Sequence, residues 1–168
     1  MNIDFTQARN AARHPAHARG ERGFTLTELL IGVAIVGVLA SIALPSYERH
    51  RERVRVSQAV ADLGGIAVSL KHFETDNLAY PDSLDAVGAG TKLDPWGNPY
   101  QYLNLANMKG KGMVRKDKKL NPLNSDFDLY SMGKDGKSQT PLTAKNSRDD
   151  IVRARDGRFI GLATDFDP

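Results

Sequence analysis

Cysteine is absent from this chain of 168 residues, so no disulfide can staple any part of it. An exported domain without disulfides has to be held together by its core, by assembly or by a metal. Histidine is scarce as well, with four residues, and none of them falls in the H-E-x-x-H spacing of metalloproteases. The sequence also lacks a nucleophile–base set and a glycine-rich phosphate loop. These absences favour a structural protein over an enzyme.

Excess positive charge is confined to the start of the chain. The formal net charge is +3, and four arginines face only two acidic side chains within the first 23 residues. The remaining 145 residues carry 19 basic and 18 acidic side chains. Without a strong basic field there, nucleic acid is not an expected partner.

Residues 24–44 form an apolar run of 21 residues with a single charge, Glu28. As a helix this run would span roughly 30 Å, the thickness of the hydrocarbon core of a bilayer. A carboxylate inside the bilayer costs on the order of 2–3 kcal/mol or more unless it finds a partner. Because the run contains no basic residue, Glu28 predicts a cationic partner from outside the segment.

Two ordinary interpretations of this region stay open on the residues alone. A secretory signal peptide could be cut after Ala43, because Ser41-Ile42-Ala43 has the small-x-small form of a cleavage site. An uncleaved signal anchor would also explain the length of the run. Charge does not decide the orientation, since four arginines precede the run and four follow it between residues 49 and 55.

Beyond the run the pattern predicts that the helix continues. Pro45 lacks an N–H and crowds the preceding turn, so a kink or local melting is expected there. Tyr80-Pro81 forces extended backbone, so the helix is expected to end near Asn77 or Leu78. Between these points, apolar residues recur at the spacing of one amphipathic face: Val56, Val60, Leu63, Ala67 and Leu70.

The C-terminal half predicts a small sheet with long loops. Alternating or apolar stretches at 100–103, 127–131 and 159–163 predict three or so antiparallel strands. The lysine-rich segment 109–119 is interpreted as a solvated loop or hairpin tip. The predicted fold class is α+β, with a long N-terminal helix packed on a small antiparallel sheet.

The junction before the apolar run resembles the type IV prepilin signature, which type IV pilins share with the pseudopilins of type II secretion. Its residues are G-F-T-L-T-E-L-L-I at 23–31. The resemblance implies that a prepilin peptidase cuts after Gly23 and that Phe24 becomes the N-methylated first residue. It also implies that Glu28 pairs with the N-terminal amine of a neighbouring subunit, and such an ion pair would neutralise both charges. The leader would then lie in the cytoplasm and the globular part outside the inner membrane.

Two further motifs resemble the major pseudopilin of type II secretion. They are D-P-W-G-N-P-Y at 94–100 and D-L-Y-S-M-G-K-D-G at 128–136. In that branch a C-terminal loop binds calcium, and the matching acidic positions here are Asp135, Asp149 and Asp150. Three carboxylates that converge with backbone carbonyls would suit Ca²⁺, which prefers oxygen ligands.

The loop between these acidic residues departs from that pattern. It is long, and it carries Lys137, Lys145 and Arg148. These basic residues could satisfy the carboxylates without a metal. Asp135 would then serve a turn, and Asp149 would cap a local bend.

The resemblance divides the chain into a cleaved leader at 1–23, a membrane or filament-core helix at 24–44, an amphipathic continuation at 45–78 and a globular domain at 79–168. It implies a structural subunit of a periplasmic pseudopilus that drives protein secretion. The expected partners are copies of itself, other pilin-like subunits, the prepilin peptidase, the inner-membrane assembly platform and the membrane.

Two other functions stay open. A major or minor type IV pilin of a surface fibre has the same N-terminal chemistry, although the missing disulfide, which many pilins use to close a C-terminal loop, favours the pseudopilin. A signal-cleaved soluble periplasmic binding protein would require a mature N-terminus near Leu44.

Overall fold

The computed structural model of the chain describes residues 23–106, 108 and 112–167, so the predicted leader lies outside the described residues except for Gly23. The chain separates into two compact units, Met1–Ala43 and Leu44–Pro168. Helix α1 spans Leu26–Asn77, a total of 52 residues. Its end at Asn77 confirms the stop that Tyr80-Pro81 predicts.

The described part of the first unit is an apolar helix that is left open to its surroundings. None of its side chains between residues 23 and 43 is buried. Near the N-terminus, α1 contains an 18-residue window with a mean hydropathy of 2.4, which by length and composition could cross a membrane. Apolar surface of this extent is unfavourable in water. The segment therefore requires lipid or other apolar helices around it.

Within the second unit, α1 lays one face on the hydrophobic core. The buried residues of that face are Ala59, Leu63, Ile66 and Leu70, of which three are fully inaccessible and Ile66 is 4% exposed. Their spacing of 4, 3 and 4 confirms an amphipathic helix, but its centre lies beside the predicted one. Val56, Val60 and Ala67 are only partly buried and flank this centre.

Four antiparallel strands form one sheet in the order β1-β2-β3-β4. They are β1 Gln101–Asn104, β2 Phe127–Ser131, β3 Ile151–Ala154 and β4 Phe159–Leu162. The α+β prediction is confirmed, and three of the strands lie within one residue of the predicted stretches. Strand β3 was not predicted.

Strand β3 escaped prediction because it is short and carries a charge in its centre. All four of its residues are buried, and Arg153 is only 3% exposed. Ile151 belongs to the core under α1, whereas Val152 and Ala154 belong to a second cluster on the other side. The guanidinium of Arg153 lies 4.0 Å from the ring centre of Phe127. A sequence pattern cannot show that such a charge will be paired inside the fold.

The partner of Arg153 is Asp126, which also joins the sheet to α1. Its carboxylate accepts hydrogen bonds from Arg153 Nη1 at 2.8 Å and Nη2 at 2.7 Å. Lys71 of α1 lies 3.0 Å from the same carboxylate. Burial by itself would raise the pKa of Asp126, but the hydrogen bonds from Arg153, the Phe127 N–H and Lys71 outweigh it and hold the pKa at about 2.

This cluster predicts how the free energy of unfolding falls at acid pH. The pKa of Asp126 is lowered from 3.8 in the folded state, so its contribution of about 2 kcal/mol is complete above pH 4 and is lost as the pH falls towards 2. We expect Asp126→Asn to lower the free energy of unfolding at pH 7 by at least that amount and to flatten its decline between pH 4 and 2. Urea unfolding of the detergent-solubilised chain across pH measures both effects. Asp167→Asn, at an exposed carboxylate, is the matched control. If the free energy of unfolding of Asp126→Asn declined between pH 4 and 2 as steeply as that of the wild type, Asp126 would not be the group responsible.

Candidate assembly site and loop network

Thr25 and Glu28 form a reciprocal cap at the start of α1. The Thr25 backbone N–H and hydroxyl both donate to Glu28 Oε2, at 2.9 and 2.7 Å. In return the Glu28 N–H donates to Thr25 Oγ1 at 3.2 Å. This is a capping box, which satisfies N–H groups that the first turn of a helix leaves free. The sequence signal for it, Thr-x-x-Glu, is present at 25–28, although no role was predicted for Thr25.

Of the residues predicted for processing and assembly, Gly23, Phe24 and Glu28 lie together at this end of the chain, whereas Pro45 does not. Gly23 is the first residue described, and Phe24 is 89% exposed. Phe24 and Glu28 also line a shallow apolar groove along α1, together with Leu29, Gly32, Val33 and Val36. The groove offers apolar surface beside a single carboxylate, which is the chemistry that a second apolar helix with one positive charge would fit.

Pro45 lies inside α1 and far along the chain from this end. The helix continues through it, so the local melting expected there is absent from the described structure. The side chain of Arg49 donates from Nε to the Pro45 carbonyl oxygen at 3.2 Å. This bond does not replace the one that the proline removes, because the carbonyl that loses its helical donor is that of Ser41, four residues earlier.

The two motifs of the globular unit contact each other directly. Asp94 Oδ1 accepts the N–H groups of Trp96 at 3.0 Å and Asn98 at 2.8 Å, which closes the turn. Its other oxygen accepts the hydroxyl of Ser131 at 2.5 Å, at the end of β2. The Asn98 side-chain amide then donates to the Gly133 carbonyl at 2.9 Å. The first motif therefore acts as a polar clamp on the second.

The same turn is also tied to α1. Trp96 Nε1 donates to Glu52 at 3.0 Å, and the Tyr100 hydroxyl donates to Asp62 at 2.9 Å. Burial, together with the Asp62 carboxylate, raises the pKa of the Tyr100 hydroxyl, so it stays protonated and remains a donor. Lys92 pairs with the same aspartate at 2.8 Å. The residues 92–100 thus hold the helix and the sheet of this unit together without a covalent link.

The three predicted calcium ligands have separate surroundings. Asp135 Oδ1 accepts the N–H of Lys137 at 2.8 Å, and its own N–H donates to Asp149 Oδ2 at 3.0 Å. Asp150 is fully buried, and its Oδ2 lies 2.6 Å from Nη2 of Arg115. The carboxylate of Asp149 therefore binds the backbone N–H of Asp135, whereas the carboxylate of Asp150 faces the guanidinium of Arg115.

This arrangement does not fit a bound calcium ion. Within residues 23–106, 108 and 112–167, no three His, Asp or Glu side chains are grouped so that they could hold a metal. Calcium requires six to eight oxygen ligands, and here one oxygen of each predicted carboxylate is already hydrogen-bonded within the protein. Calcium binding itself stays a prediction.

The cation beside Asp150 is Arg115, which was not predicted as its partner. Arg115 lies in the segment 109–119, which was interpreted as solvated, yet it is only 3% exposed. For this residue the interpretation was wrong. In the part of the chain that the structure describes, none of Lys137, Lys145 and Arg148 forms an ion pair with the three aspartates. No local signal separates Arg115 from its basic neighbours, because its partner is 35 positions away.

Comparison with known proteins gives one match to a short N-terminal motif and further matches over most of the chain. Residues 18–44 match the prokaryotic N-terminal methylation motif. The chain is 33% identical to the type II secretion system core protein G of Pseudomonas aeruginosa over 140 residues, covering 71% of this chain and 87% of that protein. It is 31% identical to the protein of the same name from Aeromonas hydrophila, over 73% of this chain and 89% of the relative.

A pilin also matches. The type IV major pilin protein PilE1 of Neisseria gonorrhoeae is 30% identical over 80% of this chain, but the match covers 65% of the pilin. No solved structure matches the chain.

Proposed function

The chain belongs to the family of the type II secretion system core protein G, the major pseudopilins, and we propose that it is a structural subunit of a periplasmic pseudopilus that drives protein secretion. The observation that carries this proposal is the exposed apolar helix that follows Phe24, carries Glu28 in its first turn and starts inside a methylation motif. Such a helix needs apolar neighbours, and copies of the same helix supply them.

Processing comes first in the proposed sequence of events. A prepilin peptidase cuts after Gly23, and the new N-terminus at Phe24 is methylated. The cut creates an ammonium group where the uncleaved chain had a peptide bond. This cation lies at the same depth in the membrane as the carboxylates of other subunits, because it is close to Glu28 in every copy.

Assembly then pairs each new amine with the Glu28 of a neighbour. In the described structure both bonds from Thr25 go to one carboxylate oxygen, Oε2. The other oxygen is the acceptor that we assign to the neighbouring amine. Apolar side chains along the groove of Phe24 and Gly32 pack against the adjacent helix and set its position. The globular unit then forms the outer shell of the filament.

The proposed setting follows from these roles. The subunit is first held in the bacterial inner membrane by α1 with its globular unit in the periplasm, and an assembly platform in that membrane moves it into the filament. Its work is mechanical and structural, since catalysis is not part of it. A type IV pilin of a surface fibre is the second candidate, because a pilin matches over most of this chain.

A deletion strain separates the two functions. We expect cells without this chain to retain normally secreted folded proteins in the periplasm, since the pseudopilus is missing, and to keep their surface fibres. Secreted protein in the medium and fibres sheared from the cell surface are measured in parallel. Complementation with the wild-type chain is the control. Intact secretion together with lost fibres would overturn the pseudopilus in favour of the pilin.

A further inference from the structure

A buried ion pair ties the loop between β2 and β3 to the segment before β2. Arg115 and Asp150 have side chains that are 3% and 0% exposed, and Nη2 of the arginine lies 2.6 Å from Oδ2 of the aspartate. A hydrogen bond between two charged groups in a buried site is strong, because little water competes for it. The pair joins residue 115, before β2, to residue 150, directly before β3.

Ser138, in the loop between β2 and β3, bridges the two side chains. The Ser138 hydroxyl donates to Asp150 Oδ2 at 2.5 Å, and Nη1 of Arg115 donates to the Ser138 oxygen at 2.5 Å. The arginine is fixed from two further directions. Its guanidinium lies 4.0 Å from the ring centre of Tyr130, and its backbone N–H donates to Asp128 at 2.7 Å. These contacts hold Arg115 in one position, unlike a surface arginine that is free to change its rotamer.

The charge of this guanidinium opposes a second cation at Asp150. The hydrogen bonding of the pair is nevertheless incomplete, because among the described residues Arg115 Nε and Asp150 Oδ1 are buried without a partner. The pair is neutral as a unit. A divalent ion at Asp150 would be placed beside a buried positive charge that cannot move away or lose its proton.

From these contacts we infer that Arg115 takes the place of a metal ion in this loop. Its guanidinium balances the charge of Asp150 and ties Ser138 to the sheet, while Asp149 caps the backbone of Asp135. The globular unit of this chain therefore folds and stays folded without calcium. The inference does not rest on the proposed function, since it concerns only contacts within the unit.

Thermal unfolding of the wild-type chain tests the inference first. The chain, extracted from membranes in detergent, is heated in excess chelator and then in millimolar CaCl₂, with MgCl₂ as the ion control. Its single tryptophan, Trp96, lies in the turn that clamps this loop and reports unfolding by fluorescence. We expect the Tm to agree within about 2 °C in all three conditions. A rise of several degrees with calcium that the chelator reverses would overturn the inference, because ligand binding to the folded state raises the Tm.

Arg115→Gln provides the second arm. We expect its Tm to fall by about 10 °C or more, since Asp150 is left buried without its cation. We also expect calcium to recover part of this loss, because the freed carboxylate can then take a divalent ion. A wild-type Tm in this variant, or no recovery with calcium, would overturn the substitution of the metal by arginine. Should Arg115→Gln not fold, the wild-type comparison decides on its own.

A matched control separates this pair from a general effect of charge. Arg148→Gln removes an arginine from the same loop, two residues from Asp150, but its side chain is exposed. Its Tm should stay within about 2 °C of wild type with and without calcium. A loss as large as that of Arg115→Gln would show that the loop responds to charge number and would contradict the specific pair.

Discussion

Replacing Glu28 with alanine is expected to abolish filament assembly and to leave cleavage and membrane insertion intact. The substitution removes the one charge of the apolar run, so each new N-terminal amine would enter the filament without a partner. Breaking a buried ion pair from one side costs about 3–5 kcal/mol. At about 1.4 kcal/mol per factor of ten, each association step would weaken more than about a hundredfold. Filaments collected from cells that overproduce the chain, and counted by electron microscopy, measure the effect.

Two companion variants show which property of Glu28 matters. Glu28→Gln keeps an oxygen that can accept the Thr25 N–H, so the capping box survives without the charge. It should fail to assemble like the alanine variant. Glu48→Ala removes a glutamate farther along the same helix, whose side chain is 69% exposed and pairs only loosely with Arg51. That variant should assemble normally. Normal filaments from Glu28→Gln would reject the charge pairing and leave helix capping as the role of this residue.

Replacing Gly23 with leucine is expected to block processing completely. The chain itself has room for the new side chain, because a Cβ at Gly23 would meet no heavy atom of the described structure within 4 Å. A failure would therefore report recognition by the peptidase and not misfolding. The uncut chain keeps its peptide bond at Phe24, so it lacks the amine that assembly needs. The intact mass of protein extracted from membranes measures the cut and the added methyl group together.

The control for this variant is Gly20→Leu, three residues upstream in the same basic segment. It should be cut and methylated like the wild type, whose mature chain we expect to begin at Phe24. A wild-type mature chain that begins at Leu44 would contradict the processing scheme, because that end belongs to an ordinary signal peptide cut after Ala43. Normal cutting of Gly23→Leu would also reject the assignment of the cleavage site.

The parts of the fold that follow local rules were open to prediction. The apolar run, the amphipathic face and the stop before Tyr80-Pro81 all depend on neighbouring residues, and α1 ends where they indicate. Strand β2 was predicted for the same reason, since its alternation is local. Strand β3 was not, because its stability depends on Asp126, which pairs with Arg153 across 27 positions. No periodicity reports a contact of that range.

The candidate site shows the same division. Gly23, Phe24 and Glu28 belong to one short motif, so their shared place around the start of α1 follows from their spacing alone. The surroundings of Asp150 do not, because a charged segment that looks solvated delivers Arg115 into the interior. Burial of a charge depends on what the rest of the chain places beside it.

The ties between residues 92–100 and α1 have a mechanical consequence. Glu52 and Asp62, which hold Trp96 and Tyr100, are ten positions apart on one helix, roughly 15 Å along its axis. A tensile load applied along that axis would strain both attachments in shear and at the same time, so neither could be peeled away alone. A fibre built from such subunits would therefore keep its globular domains attached to their helices under load, although no covalent cross-link joins the two.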